Sequence, residues 1–273
     1  MSTGTAETAE SSRRAPVIAA SLLAVLLAGA ALAPLLAPYA MDALDLAHRR
    51  AAPSALHWFG TDELGRDLLT RVLYGARVSL AIGLISALVS AAIGAAVGAV
   101  AGYAGRRTDD VLMRVTDAML AIPRLPLLMI TAAVLQPGVP MLVLLVGLAG
   151  WMETARVVRA EVLSLAARDF VSAARAMGAT PLRVILRHVL PGVLPAAAVA
   201  TTLAVGRGIL LESALSFFGV GVQPPTASWG NMLYQAQTTM TSEPWLAIFP
   251  GAMIFLTVLA CNAVGDAIGA AKS

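Results

Sequence analysis

The side chains able to do chemistry are few and scattered. His48, His57 and His188 are the only histidines, and Cys261 is the only cysteine in 273 residues. Zinc sites draw on Cys, His and carboxylates at short recurring spacings. These four residues have no recognisable ligand spacing, so no metal site is expected. A lone cysteine inside an apolar run makes no intrachain disulfide and reads as a small buried hydrophobe. The single lysine, Lys272, lies outside any GxxxxGK context followed by Ser or Thr, so the chain has no phosphate-binding loop. The chain is therefore expected to be no enzyme and to bind no cofactor itself. ATP and Mg, where they are used, must be bound by partner chains.

The elements that position these residues are hydrophobic helices. Apolar residues make up 58% of the chain and charged residues 13%, with a mean hydropathy of +0.79. A soluble domain carries about a quarter charged residues. The apolar residues fall in long runs without polar alternation, which predicts an all-α membrane protein with six transmembrane helices rather than a β-barrel. Residues 1–14 read as a disordered cytoplasmic tail. Residues 15–77 hold the first span, too long for a cleaved signal core, and an extracytoplasmic loop. Residues 78–267 form the core, with spans near 78–102, 118–136, 139–157, 191–218 and 245–265. Residues 268–273 are a short cytoplasmic tail.

Arginines near the span ends set the orientation. They crowd the 103–124 and 156–190 connections and are absent from 136–140 and 219–244. Both termini are therefore expected in the cytoplasm. The 38–77 loop carries five arginines against Asp42, Asp45, Asp62, Glu63 and Asp67, which predicts a compact, salt-bridged outer loop. In the second span Ser86, Ser90, Gly94, Gly98 and Gly102 recur every fourth residue, a stripe that admits a closely packed neighbouring helix. Arg207 and Glu212 are charges inside the fifth span, and such groups face a cavity or a partner. Five residues apart, they point about 140° away from each other. They are the candidates for a translocation pathway, with Glu212 facing either that pathway or a neighbouring helix.

The segment "RDFVSAARAMGATPLRVILRHVLP" interrupts this pattern at residues 168–191. Asp169 is a good N-cap, Phe170 to Met177 make two helical turns, and Gly178 suits the positive φ of a C-terminal cap. Thr180 caps a second helix with Pro181 in its first turn. So short a helix is not stable alone. Its small residues suit it as a knob received by a groove in a partner.

"AARAMGATPLRVILRHVLP" resembles the EAA-type loop of binding-protein-dependent ABC importer permeases. With "HWFGTDELGRDLLTRVLYGARVSL", "AGYAGRRTDDVLMRVTDAMLAIP" and "LSFFGVGVQPPTASWGNML", the chain is similar to the C-type permeases of dipeptide, oligopeptide and nickel importers over about residues 15–267. The resemblance implies a type I ABC importer permease fold in a bacterial inner membrane. It implies a homologous B-type permease as heterodimer partner, two ATP-binding subunits or domains, and an extracytoplasmic solute-binding protein. No nucleic-acid partner is expected. A coupling helix at 169–178 would dock on the ATPase through Asp169, Phe170, Ser172, Ala173, Ala174, Arg175, Gly178, Ala179 and Pro191. Ser172 stands where the general pattern has Glu, and His188 where it has Ile. After "NAVGD" the common Arg-Asp continuation is replaced by "AIGAAKS". By the same analogy Gly60, Thr61, Asp62, Gly65, Arg66 and Asp67 in one loop, and Pro225, Ser228, Trp229 and Gly230 in another, are outer-face docking candidates. Trp229 is also read as an interfacial anchor. The implied function is half of an ATP-driven peptide pathway. The alternatives are nickel as the substrate or, from another class, a self-sufficient secondary transporter.

Overall fold

The computed structural model describes residues 3–136 and 138–270, and their side chains apart from those of residues 3–15 and Arg175. Lys272 lies outside the described residues. The helices are α1 (Thr3–Ala31), α2 (Ala33–Leu36), α3 (Leu68–Tyr103), α4 (Arg106–Ala121), α5 (Arg124–Leu135), α6 (Val139–Leu148), α7 (Trp151–Ala166), α8 (Asp169–Ala176), α9 (Pro181–Val184), α10 (Leu190–Phe217), α11 (Trp229–Ala236) and α12 (Trp245–Ala270). Among the described residues no strand occurs beyond one isolated bridge, Thr61 to Asp67. The backbone is helical from Thr3, although residues 1–14 are expected to form a disordered tail.

Six apolar segments follow one another as predicted, but they are not six simple rods. Leu68–Tyr103, Pro181–Phe217 and Trp245–Ala270 are each long and apolar enough to cross a bilayer, and Pro16–Ala31 is a shorter apolar helix. The third and fourth predicted spans are broken: α4 and α5 meet at 77°, and α6 and α7 at 42°. The first break has a local cause. Ile122 precedes Pro123 and takes an extended ψ of 126°, because the proline ring excludes the α region from the residue before it. The second falls at Ala149-Gly150, between the end of α6 and the start of α7. Before α10 a short π segment covers Ile185–Val189. It adjoins Pro191, which cannot donate the bond a regular helix would require there.

α3 is the central helix and packs on α1, α6, α7 and α10. At 36 residues it is roughly 54 Å long. Its predicted small-residue stripe is the seam with α6 and α7. Ser90 Oγ donates to the Gly147 carbonyl at 2.7 Å. Gly94 faces the Trp151 carbonyl and Gly102 faces Val162. At Gly98 an added Cβ would strike the Ala155 carbonyl oxygen and stand 2.9 Å from Val158 Cβ. Backbone cannot step aside as a flexible side chain can. Gly98→Leu is therefore expected to lower the unfolding midpoint of the detergent-solubilised chain, with an overpacking cost of about 1–3 kcal/mol or more. Gly29, where a Cβ meets nothing within 4 Å, is the control position. Equal midpoints for the two leucine variants would reject this seam.

Candidate functional site

At the Tyr103 end of α3, α8 stands as a knob between α7 and α9. Val171 and Ala174 anchor it, and Val171 is wholly buried with Val158, Val162, Val184 and Val189. The other face is open. Phe170, Ser172, Ala173 and Met177 are exposed, Met177 by 82%. Asp169 is not the N-cap. The Val171 and Ser172 amides donate to the Arg168 carbonyl at 3.1 and 3.3 Å, which makes Asp169 the first helical residue. Its carboxylate still sits in the first turn, where the helix dipole favours a negative charge. The C-terminal end follows the prediction. Gly178 has φ +83°, and the Ala179 amide donates across it to the Ala174 carbonyl at 3.1 Å, the outer bond of a Schellman cap. Thr180 Oγ1 then accepts from the Arg183 amide at 3.4 Å. Ala179 is half-buried against the valine cluster, while Pro191 is exposed at the start of α10. The Arg175 side chain lies outside the described residues.

Halfway along the bundle, the two helix breaks carry opposite charges. Arg124, two residues past the α4–α5 bend, donates to Glu153 Oε1 at 2.9 Å. Arg207 Nε lies 3.0 Å from Glu153 Oε2. The three residues tie α5, α7 and α10 together, and Arg207 keeps 39% of its side chain exposed. Arg124 and Glu153 border a mostly apolar cavity of about 530 Å³, with Pro123, Leu128, Leu145 and Met152 as well as Thr131 in its wall.

Glu212 does not share this site. It is wholly buried within the chain, so of its two expected facings the neighbouring helix is the observed one. Ser79 Oγ of α3 donates to Oε2 at 3.0 Å, and Ser216 Oγ donates to Oε1 at 2.7 Å. Ser79 Oγ also accepts from the Trp229 amide at 3.1 Å, and Ser216 Oγ from the Val222 amide at 3.0 Å. The carboxylate thereby joins α3, α10, the loop after α10 and α11. It is a structural node rather than a pathway residue.

The loop expected at 38–77 ends at Asp67, because residues 68–77 are already the first turns of α3. What remains, 38–67, lies at the other end of α3 and is compact, with ion pairs both inside it and to Arg71 of α3. Asp62 Oδ2 accepts from Arg66 Nε and Arg71 Nη1, both at 2.7 Å, and Arg71 continues to Gln235 of α11 at 3.0 Å. Asp67 caps α3 through the Thr70 amide at 2.7 Å and accepts from His57 Nδ1 at 3.0 Å. The docking candidates here are mostly interior. Gly60, Thr61, Asp62, Gly65, Asp67, Ser228, Trp229 and Gly230 are buried, Arg66 is half-buried, and only Pro225 is exposed. Trp229 is not an interfacial anchor. Its ring packs among Ala76, Leu80 and Ile209, and Nε1 donates to the Val72 carbonyl at 3.1 Å. Ser228 and Asn231 form a reciprocal capping box under α11. These motif residues build the loops, and their own side chains offer little surface to a partner.

Residues 94–271 match the family model described as binding-protein-dependent transport system inner membrane component. The chain belongs to this family. It is 40% identical over 257 residues to a putative peptide permease protein of Brucella suis, covering 93% of this chain and 85% of that one. It is 39% identical over 248 residues to the dipeptide transport system permease protein of Bacillus subtilis, covering 90% and 78%. It is 40% identical over 251 residues to the glutathione transport system permease protein of Escherichia coli, covering 92% and 83%. As an inner membrane component of this family it has the type I importer permease fold. The matched region contains the knob, both helix breaks and Glu212.

Within this permease component, sequence reasoning misses two constellations. Glu153 escapes notice because the hydropathy pattern runs through the Gly150 break, yet "GWME" places a breaker three residues before an acid. The Ser79 and Ser216 partners of Glu212 look like ordinary small polar residues of a span. The first signal could have been read locally. The second needs a contact between residues 133 apart in sequence.

Proposed function

We propose that the chain is the membrane-spanning permease subunit of an ATP-driven importer of di- and oligopeptides, working by alternating access. The observation that carries this is the exposed, capped α8 knob on a member of a binding-protein-dependent transport family whose similar relatives bear peptide-permease names. Two ATP-binding subunits or domains engage the knob from the cytoplasm, and a homologous permease completes the pathway. A solute-binding protein delivers substrate from outside. Both termini are cytoplasmic, and the 38–67 loop faces outward. ATP favours one arrangement of the ATPase pair, and the knob transmits that preference to the bundle. Such a ligand does work only through its different affinity for the two states. This chain binds no nucleotide and performs no chemistry. Arg207, with Arg124 and Glu153, borders the pathway where the two broken spans bend.

Docking places the exposed face of Phe170, Ser172, Ala173 and Met177 against the ATPase. With Ser172 in place of an acid, the carboxylate that the knob offers is that of exposed Asp169 in its first turn. Reconstitution in liposomes tests the reading. The complete complex with its binding protein is expected to accumulate a labelled dipeptide only when ATP is present. Nickel uptake in place of dipeptide uptake would support the metal importer of the same family. ATP-independent flux through this chain alone would instead support a secondary transporter.

A further inference from the structure

Three residues of the 38–67 loop converge although their sequence spacing suggests nothing. Asp45, His48 and His57 each offer a ligand atom, and these atoms lie within 4.8 Å of one another. Asp45 Oδ2 is 2.8 Å from His48 Nδ1 and 3.7 Å from His57 Nε2. Around a tetrahedral ion with bonds of about 2.0–2.1 Å, neighbouring ligand atoms stand about 3.3 Å apart. Two of the three separations bracket that value and all three lie within 4.8 Å, so a rotation of the half-exposed His48 ring would close the set around an ion.

The decisive group is His57. Its side chain is 3% exposed, and its Nε2 is buried without a hydrogen-bond partner. A buried polar atom left unpaired is costly and calls for a reason. Its other nitrogen, Nδ1, faces Asp67 Oδ2 at 3.0 Å, and Asp67 is itself held by its cap bond to Thr70. A carboxylate can only accept, so Nδ1 is the donor there, and Nε2 is left 3.7 Å from Asp45 Oδ2. A carboxylate behind a histidine, fixing its tautomer and orientation, is the usual outer shell of a histidine metal ligand.

The other ligands are also held in place. Asp45 Oδ1 accepts from the Ala47 and His48 amides at 3.2 and 3.3 Å. The Asp45 amide donates to the Gly65 carbonyl at 3.2 Å, and Gly65, at φ +77°, sits so close that a Cβ would strike the Asp45 carbonyl. The Tyr39 ring packs against His57 with centroids 4.9 Å apart. Asp45 and His48 remain 37% and 52% exposed, which gives an ion a route in and leaves a coordination position for water.

We propose that Asp45, His48 and His57 form a binding site for a divalent transition metal of the zinc class, with Asp67 as the positioning residue behind His57. Two imidazoles and one carboxylate suit zinc rather than calcium or magnesium, which prefer all-oxygen shells. The ion would fasten the 39–48 segment to the 57–67 segment that leads into α3. The site stands on this geometry and does not depend on the transport reading.

The test uses the full chain in detergent, free of any histidine tag and stripped with a chelator. Titration with Zn2+ is expected to show one saturable site per chain and a raised unfolding midpoint. Co2+ is expected to give the visible absorption of a tetrahedral centre. His48→Ala removes a half-exposed ligand and should weaken Zn2+ binding at least about tenfold, and because its 2.8 Å contact with Asp45 is an exposed pair, the metal-free midpoint should fall only slightly. His57→Gln should also lose the site, and it can keep a hydrogen bond to Asp67. No saturable binding up to about 100 µM, or wild-type affinity in His48→Ala, would overturn the proposal.

Discussion

Gly178→Pro is expected to abolish ATP-driven uptake while the chain still inserts and folds. Gly178 has φ +83°, whereas a proline ring holds φ near −65°. The cap that ends α8 and starts α9 therefore cannot form around a proline at this position. Proline also drives the preceding residue, Met177, out of the helical region, so the last turn of the knob unwinds. The buried anchors Val171 and Ala174 lie before this point, and the valine cluster joins α7 to α10 through other residues. The damage is thus confined to the exposed element. No neighbour lies within 4 Å of a Cβ added at Gly178. Gly178→Ala consequently meets only the backbone penalty of the left-handed region, about 1–2 kcal/mol, and should retain part of the transport. The expected series is wild type, then Ala reduced several-fold, then Pro without detectable uptake and with weakened ATPase co-purification. A proline variant that holds its ATPase and transports at the wild-type rate would remove α8 from the coupling role.

The helix–turn–helix around Gly178 is legible in the sequence because its determinants are local. Gly178, Thr180 and Pro181 each impose a backbone preference on their own turn. The Gly94, Gly98 and Gly102 stripe is legible for a similar reason, since a four-residue period places small residues on one face wherever the helix lies. What the stripe meets is not legible, because Ala155 and Val158 come from another helix. The helix breaks fall between these cases. Pro123 and Gly150 are visible as breakers, but a hydropathy profile averages over them and returns two continuous spans. The "GTDELGRD" loop is read as an outer-face contact from the resemblance to the permease family, and Trp229 as an interfacial anchor because aromatic belts sit there. In the folded chain Trp229 fills the gap between α3 and α10, and Asp62 and Asp67 are consumed by Arg71, His57 and the start of α3. His48 and His57 show the same limit, since only the folded loop brings them to one carboxylate.

Glu212→Leu is expected to be the most destabilising single change in the bundle, because it orphans several buried groups at once. The carboxylate accepts from Ser79 and Ser216, and each of those hydroxyls simultaneously accepts a backbone amide, from Trp229 and from Val222. A leucine fits the volume but offers no acceptor, so both hydroxyl hydrogens lose their partners inside a dry interior. Each stranded group costs about 1–3 kcal/mol, which places the total near 2–6 kcal/mol. That is a large share of the roughly 5–15 kcal/mol by which a typical domain is stable. Glu212→Gln separates geometry from charge. Its amide oxygen still accepts from one serine, and its NH₂ can donate to the free lone pair of the other. If the node acts through hydrogen bonding, Gln should retain most of the stability and Leu should lose it, measured by denaturant unfolding in detergent and by protease resistance. If Gln and Leu fall equally, the ionised carboxylate itself is required. If neither falls, the α3–α10–α11 junction rests on the packing of Trp229, Leu80 and Ile209 alone.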